Sequence, residues 1–271
     1  MADSDDIGRA PIAIIPAAGR GSRLGRLPGS KELIPIGFES APDGSRRPRP
    51  LLVHLLDRLR AAGIEDAVVV LRSGKWDLPA YLLDGRERGL RIAYTVLEDS
   101  PHVPFTVASA LPWTRGRAVA LAFPDILFRP EDAFAALRER LHAGDDELVL
   151  GLFPTARSEK TDMVELDRSG RPRRLVVKQP GSTLLYTWSA AVWRPSFSEW
   201  LAGWVEASCD PSSATSGAGR ERHFGEAIQD AIDERRAVGA CVFDDGRYLD
   251  VGTPDDLERA LVEALEESPS P

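Results

Sequence analysis

The sequence predicts an α/β protein, a mainly parallel sheet flanked by helices, with a β-rich lobe following it. Three observations predict this. Apolar runs at residues 12–15, 66–71, 118–123 and 147–153 are short and continuous, as strands buried on both faces are. A leucine-lined helical segment separates the first two runs, and a strand–helix–strand unit implies parallel strands with a right-handed crossover. From about residue 154 closely spaced β pairs replace that alternation.

Taken in order, Ile12-Ala13-Ile14-Ile15 is the first strand, and a loop carrying Gly19, Gly21, Gly25 and Gly29 follows it. Residues 37–50, rich in Gly, Pro and charge, read as an exposed loop. Pro50 takes the first position of a helix whose Leu52, Leu55, Leu56 and Leu59 make one face, and Gly63 stops it. After the strand at 66–71 come a short helix over 76–89, a strand over 90–97 and a helical stretch over 104–113. The apolar run Ala118–Phe123 reads as a central strand ending at Pro124-Asp125. Arg129 to His142 is predicted helical, with acids in its first turn, and 147–153 is a further strand. In the lobe, MVELD and RRLVVK flank a Ser169-Gly170 turn as a hairpin, and a longer strand runs to Trp193. An amphipathic helix spans 195–207, a mobile loop 208–220, a helix 223–236 and a strand 238–243. The last helix opens with a Thr253/Asp256 capping box and Pro254 at its first position. The expected organisation is a disordered tail at 1–10 and a single unit over 11–262. That unit divides into a core at 11–153 and a lobe with returning elements at 154–250, and a C-terminal helix spans 251–267.

Composition narrows the function. A net charge of −8 over 271 residues argues against a nucleic-acid surface, though not against a local basic site. No apolar stretch approaches membrane-spanning length, and the polar, acidic residues 1–10 are no signal peptide. The two cysteines, Cys209 and Cys241, have neither disulfide-framework nor zinc-site spacing. A soluble, cytoplasmic setting is expected. The four histidines, at 54, 102, 142 and 223, show no ligand spacing.

The loop after the first strand carries the chemistry. Its glycines let backbone N–H groups approach an anion, and Arg20, Arg23, Arg26 and Lys31 add positive charge. It is not the dinucleotide fingerprint, because Leu24 stands where the third glycine is required, and it is not a Walker A loop, because Lys31 is followed by Glu32. Gly19-Arg20-Gly21-Ser22-Arg23-Leu24, followed by Ser30-Lys31-Glu32-Leu33-Ile34-Pro35, resembles the paired signature of sugar-1-phosphate nucleotidylyltransferases. The resemblance covers about residues 11 to 262. It implies a mononucleotide-binding, Rossmann-like sheet with a sugar-binding lobe, and a reaction of an NTP with a sugar 1-phosphate giving an NDP-sugar and pyrophosphate. It favours dTTP or UTP with glucose 1-phosphate; a cytidylyltransferase and a catalytically silent, nucleotide-sugar-binding relative are the alternatives. A homo-oligomer is compatible with it.

The same resemblance implies roles for individual residues. Ala18, Gly19, Gly21, Ser22 and Arg23 would bind the nucleotide, and Arg23 and Lys31 would neutralise charge in the reaction. Phe123-Pro124-Asp125 and Leu249-Asp250-Val251-Gly252-Thr253 match the phrases whose aspartates hold Mg²⁺, an ion usually bound by one or two carboxylates plus phosphates. Alone, Asp125 reads equally as a helix-cap residue and Asp250 as a turn residue. Thr106-Val107-Ala108-Ser109-Ala110 corresponds to the base-reading segment, with Thr106 where glycine is usual, and a packed helix start accounts for it equally well. Lys178 would meet the sugar phosphate, although Val177 replaces the acid that usually precedes it and Gln179 intervenes before Pro180. Trp188 either lines the sugar pocket or belongs to the core.

Overall fold

The computed structural model describes residues 10–41, 43–114, 116–208 and 222–266. Residues 1–9 of the tail predicted at 1–10, most of the predicted loop at 208–220 and the end of the C-terminal helix prediction at 267 lie outside them. In chain order the elements are β1 (Ile12–Ala17), β2 (Pro35–Ser40), β3 (Arg46–Pro50), α1 (Leu51–Ala61), β4 (Asp66–Arg72), α2 (Asp77–Leu82) and β5 (Arg91–Leu97). Next come α3 (Val103–Ala108), β6 (Val119–Ala122), β7 (Ile126–Arg129), α4 (Ala133–Ala143), β8 (Leu148–Pro154), β9 (Asp162–Leu166), β10 (Pro172–Val177) and β11 (Tyr186–Trp193). The chain closes with α5 (Pro195–Ser208), α6 (Phe224–Asp233), β12 (Val238–Val242), β13 (Arg247–Asp250) and α7 (Pro254–Glu266).

Among the described residues nine strands share one sheet. β5, β4, β1 and β6 lie side by side and parallel. β11 runs antiparallel between β6 and β8, and β12 lies parallel beside β8. β9 pairs with β11 beyond the end of β6 and carries β10 at its other edge. Following these pairings, only β10 and β11 run against the other strands, so the sheet is mostly parallel as predicted. The partner of β11 changes from β6 at Ala190↔Ala122 to β9 at Thr187↔Met163, and residues 123–125 leave the sheet at that change. A crevice at the carboxyl edge results.

Alternation in the strands splits the core into two faces. Ile12, Ile14, Val68, Val70, Val119 and Leu121 pack with Val107 of α3, Phe197 of α5 and Ala227 of α6. Ala13, Ile15, Val69, Leu71, Ala120 and Ala122 pack with the leucines of α1 and with Phe134 and Leu137 of α4. A fully buried leucine or isoleucine contributes ~1.5–3 kcal/mol, so these paired faces account for the main sheet's cohesion. A third, smaller cluster joins Ile36, Leu51, Val251 and Ala260, seating α7 against β2. Among the described residues no helix is long and apolar enough to cross a membrane.

Several elements differ from the sequence-based expectation. Residues 37–50 are exposed over much of their length, as expected, but are not a loop: β2 and β3 form an antiparallel hairpin with a bulge. Its charges are used internally, since Glu39 accepts Arg47 Nε at 2.7 Å and Arg88 Nη2 at 2.6 Å, while Ile36 is buried. Pro50 stands just before α1 with extended backbone rather than inside it. The helix expected over 76–89 breaks after Leu82, where Leu83 has φ +50°, and only a 3-10 turn at 86–88 follows. The stretch at 104–113 likewise divides into α3 and a 3-10 turn at 111–113. The helix expected from Arg129 starts at Ala133, because residues 126–129 are spent on β7, whose partner β13 lies more than a hundred positions away. Half of the α7 capping box forms, with Asp256 N donating to Thr253 Oγ1 at 3.4 Å, while the Asp256 carboxylate accepts the Thr253 hydroxyl at 2.6 Å in place of its backbone N–H.

Candidate active site

β1 and β6 are parallel neighbours, so the loop leaving Ala17 and the segment leaving Ala122 emerge at the same carboxyl edge, where open α/β sheets take ligands. Gly21 adopts φ +64°, a left-handed conformation that glycine accepts without strain, and this turns the chain into a 3-10 turn at Ser22–Leu24. A second 3-10 turn, Lys31–Leu33, returns to the sheet. Two supports hold the loop between them. Asp77 accepts the Ser30 backbone N–H at 2.6 Å and its hydroxyl at 2.8 Å. Beneath, the buried Lys75 ammonium donates to Glu32 at 2.7 and 2.9 Å and to the Ala17 carbonyl at 2.8 Å, tying the loop to the end of β1. Burial raises the Glu32 carboxyl above its usual value, and the positive charges of Lys75 and Lys31 pull it only partly back.

Lys31 forms an ion pair with Asp125. Burial alone would lower the lysine's pKa, but Asp125, with Glu32 and Asp250 behind it, outweighs that and raises it. Asp250 arrives from β13, whose register sets it opposite Ile126, and the Val251 N–H donates to the Asp125 carbonyl at 2.9 Å. Burial and the charge of Asp125 push the Asp250 carboxyl up to about 6, while Lys31 and Arg23 oppose the rise. Arg23 completes the group. A methyl at Gly252 would lie 3.1 Å from its Nη2 and 3.3 Å from Asp250 Oδ1, so the absent side chain at 252 leaves room for both groups to approach.

Ala18, Gly19, Gly21, Ser22, Arg23, Lys31, Thr106, Asp125 and Lys178 all line one cleft of about 600 Å³. Thr106 is buried at the cleft wall, its hydroxyl paired with Ser100 and donating to the His102 carbonyl at 3.2 Å. Ser109 turns its hydroxyl back onto the Thr106 carbonyl at 2.7 Å. Trp188 is 7% exposed and wedged between Phe123 and Phe224, at ring separations of 5.7 and 5.5 Å, a packing position behind the cleft. Asp250 faces Asp125 from behind and borders a separate cavity of about 200 Å³ under α7. Sequence reasoning missed Glu32, Lys75, Asp77 and His223. A charged residue in a loop reads as solvated, and no local spacing signals that two of them pair in the interior.

The donor set fits a hard, hydrated divalent cation. Asp125 at the crevice and Asp250 behind it are both half-buried, and the charge of Asp125 helps to push the Asp250 carboxyl up, a conflict that a cation between them would relieve.

A family model for the MobA-like NTP transferase domain matches residues 13–206. No curated protein sequence matches the chain. A structure described as a glucose-1-phosphate thymidylyltransferase of Bacillus anthracis, complexed with sucrose, superposes with a TM-score of 0.78 at 17% identity, covering 97% of this chain and 98% of that one. A UDP-glucose pyrophosphorylase complexed with UDP-glucose gives 0.74 at 16% identity over 96% and 100% of the two chains. HddC of Yersinia pseudotuberculosis gives 0.67 at 14% over 93% and 99%. Likeness at such identity establishes the shared fold.

Proposed function

The chain belongs to the MobA-like NTP transferase domain family, and from that premise we propose that it joins a nucleoside triphosphate to a sugar 1-phosphate, releasing pyrophosphate. One observation carries this reading. The glycine-rich loop with Arg23 and Lys31, the Asp125 carboxylate and Lys178 converge from distant parts of the chain on a single cleft. Such a cleft has cations for two phosphate-bearing substrates. In the reaction, an oxygen of the sugar phosphate attacks the α-phosphorus in line, a new P–O bond forms, and the bond to the β-phosphate breaks. No protein nucleophile is needed, so the protein's work is positioning and charge neutralisation. Arg23 takes charge developing on the departing pyrophosphate, Lys31 holds the phosphates, and Lys178 holds the sugar phosphate. Asp125 and Asp250 would hold Mg²⁺, which when bound supplies charge neutralisation across the phosphates.

Within this reading dTTP or UTP and glucose 1-phosphate are the favoured substrates. The test is a pyrophosphate-release screen crossing the nucleoside triphosphates with a panel of sugar 1-phosphates, with Mg²⁺ and with chelator. Release with dTTP or UTP and glucose 1-phosphate, abolished by chelator, is the expected result. Release with CTP alone would move the chain to the cytidylyltransferases. Tight binding of a nucleotide sugar with no turnover of any pair would make it a silent relative.

A further inference from the structure

The wall of the cleft opposite the glycine-rich loop holds a group that the roles above leave unexplained. Lys178 Nζ lies 3.2 Å from His223 Nδ1, and both side chains line the cleft. An ammonium has only donors, so the ring nitrogen facing it accepts, and the neutral ring carries its proton on Nε2. The two side chains come from separate elements. Lys178 follows β10 in a left-handed backbone conformation, φ +43°, and its N–H donates to the Thr161 carbonyl at 3.2 Å. His223 is the residue from which α6 starts.

Behind them stands Asp162. It is the register partner of Val177 across β9 and β10, so the two side chains share a face, immediately beside Lys178. Val177 brings no carboxylate there, and Asp162 brings one from the neighbouring strand. α6 packs so closely that a methyl at Gly225 would lie 2.9 Å from the Asp162 Cγ. The Gly225 N–H and the Trp188 indole lie near enough to favour its charge, yet its Oδ1 is buried with no hydrogen-bond partner. Burial raises the Asp162 carboxyl, and the charge of Lys178 pulls it part of the way back. A lysine and an imidazole are thus held side by side, with negative charge behind them and the open cleft in front.

We propose that His223 and Lys178 together clamp the phosphate of the sugar-bearing substrate, with Asp162 as the positioning residue that holds the pair. The inference rests on the two-substrate reading given above and adds two residues to it. A phosphate entering between them takes hydrogen bonds from both, and charge-assisted bonds of this kind are the strong ones.

The test measures binding of a panel of hexose 1-phosphates and of inorganic phosphate by titration calorimetry, beside steady-state pyrophosphate release. His223→Gln should weaken the best-binding phosphate about tenfold or more, the scale of one hydrogen bond to a charged group. It should also raise KM for the sugar phosphate more than KM for the NTP. Asp162→Asn should act in the same direction, and adding it to His223→Gln should cost nothing further, because it works through the residue already removed. Unchanged phosphate affinity in His223→Gln, or a loss confined to the NTP, overturns the clamp, as does a wild-type protein that binds none of the phosphates. Wild-type protein that binds phosphate through His223 but turns over no substrate pair would instead sink the proposed reaction and leave the clamp standing.

Discussion

On one wall of the cleft Ala18, Gly19, Gly21, Ser22, Arg23 and Lys31 come from one stretch of chain; on the facing wall Asp125, Lys178, His223 and Gly252 come from four. The first wall is a loop whose shape is set locally, by a left-handed glycine and two 3-10 turns, and whose position is fixed from beneath by Glu32, Lys75 and Asp77. The second wall has no local plan. Its members meet because β11 exchanges β6 for β9, and because β13 pairs with β7. A site can therefore be half motif and half topology, and the two halves should fail differently when broken.

The largest effect should come from the support of the loop wall. Lys75→Met leaves the Glu32 carboxylate buried without its counter-ion and should cost about 3–5 kcal/mol in urea denaturation at neutral pH. Glu32→Leu combined with Lys75→Met should recover most of that loss, since a buried ion pair is often no better than well-packed apolar groups. If Lys75→Met were as stable as wild type, the loop wall would stand by its backbone alone and the contrast between the walls would dissolve.

Next come the groups that face the reaction. Arg23→Ala and Lys31→Ala should each lower turnover by about 3 kcal/mol in transition-state stabilisation, roughly a hundredfold. Asp125→Asn, beside Lys31, and Asp250→Asn, behind it, should fall by a similar order, and the double variant should be far from additive if both act on one cation. Pyrophosphate release under saturating substrates measures all four. Full activity in both loop variants would make that wall a scaffold only.

What could be read from the sequence follows the same division. The loop was legible because its residues are contiguous, and the central strands were legible because burial on both faces leaves continuous apolar runs, as in Val119–Ala122. Asp125 and Asp250 could be paired only through resemblance; the contact between their segments is the pairing of β7 with β13, four residues each, which no local pattern announces. β2 and β3 were hidden by charge, because Glu39 is held by Arg47 of the hairpin and by Arg88 from a distant turn, partners that no local pattern announces. His223 and Asp162 were invisible for the same reason as Lys75: a single polar residue carries no period, and only the register of β9 against β10 brings Asp162 beside Lys178.

The smallest effect separates the walls by the sign of their response to acid. On the topological side, Asp256 anchors the first turn of α7 to the chain ahead of β9, through Arg157 and through Lys160 at 3.3 Å. Burial alone would raise its carboxyl, but the Thr253 hydroxyl, Arg157 and Lys160 prevail and hold it down to about 2. The unfolded chain, with an ordinary aspartate near 3.9, takes up this proton first as pH falls. The contribution to stability is therefore complete above about pH 4 and is lost as the pH drops toward 2; it amounts to about 2 kcal/mol. On the loop side Glu32 is shifted the other way, raised by burial, so the folded protein binds its proton first and acidification there relieves a cost instead of removing a gain. Denaturation of wild type and Asp256→Asn at pH 7, 4 and 2.5 should show a gap of about 2 kcal/mol that closes only between the last two. The Lys75→Met penalty should shrink in the same direction of pH, as Glu32 takes up a proton and no longer needs a partner. An Asp256→Asn gap that persists unchanged at pH 2.5 would mean that the α7 anchor works through its hydrogen bonds and not through its charge.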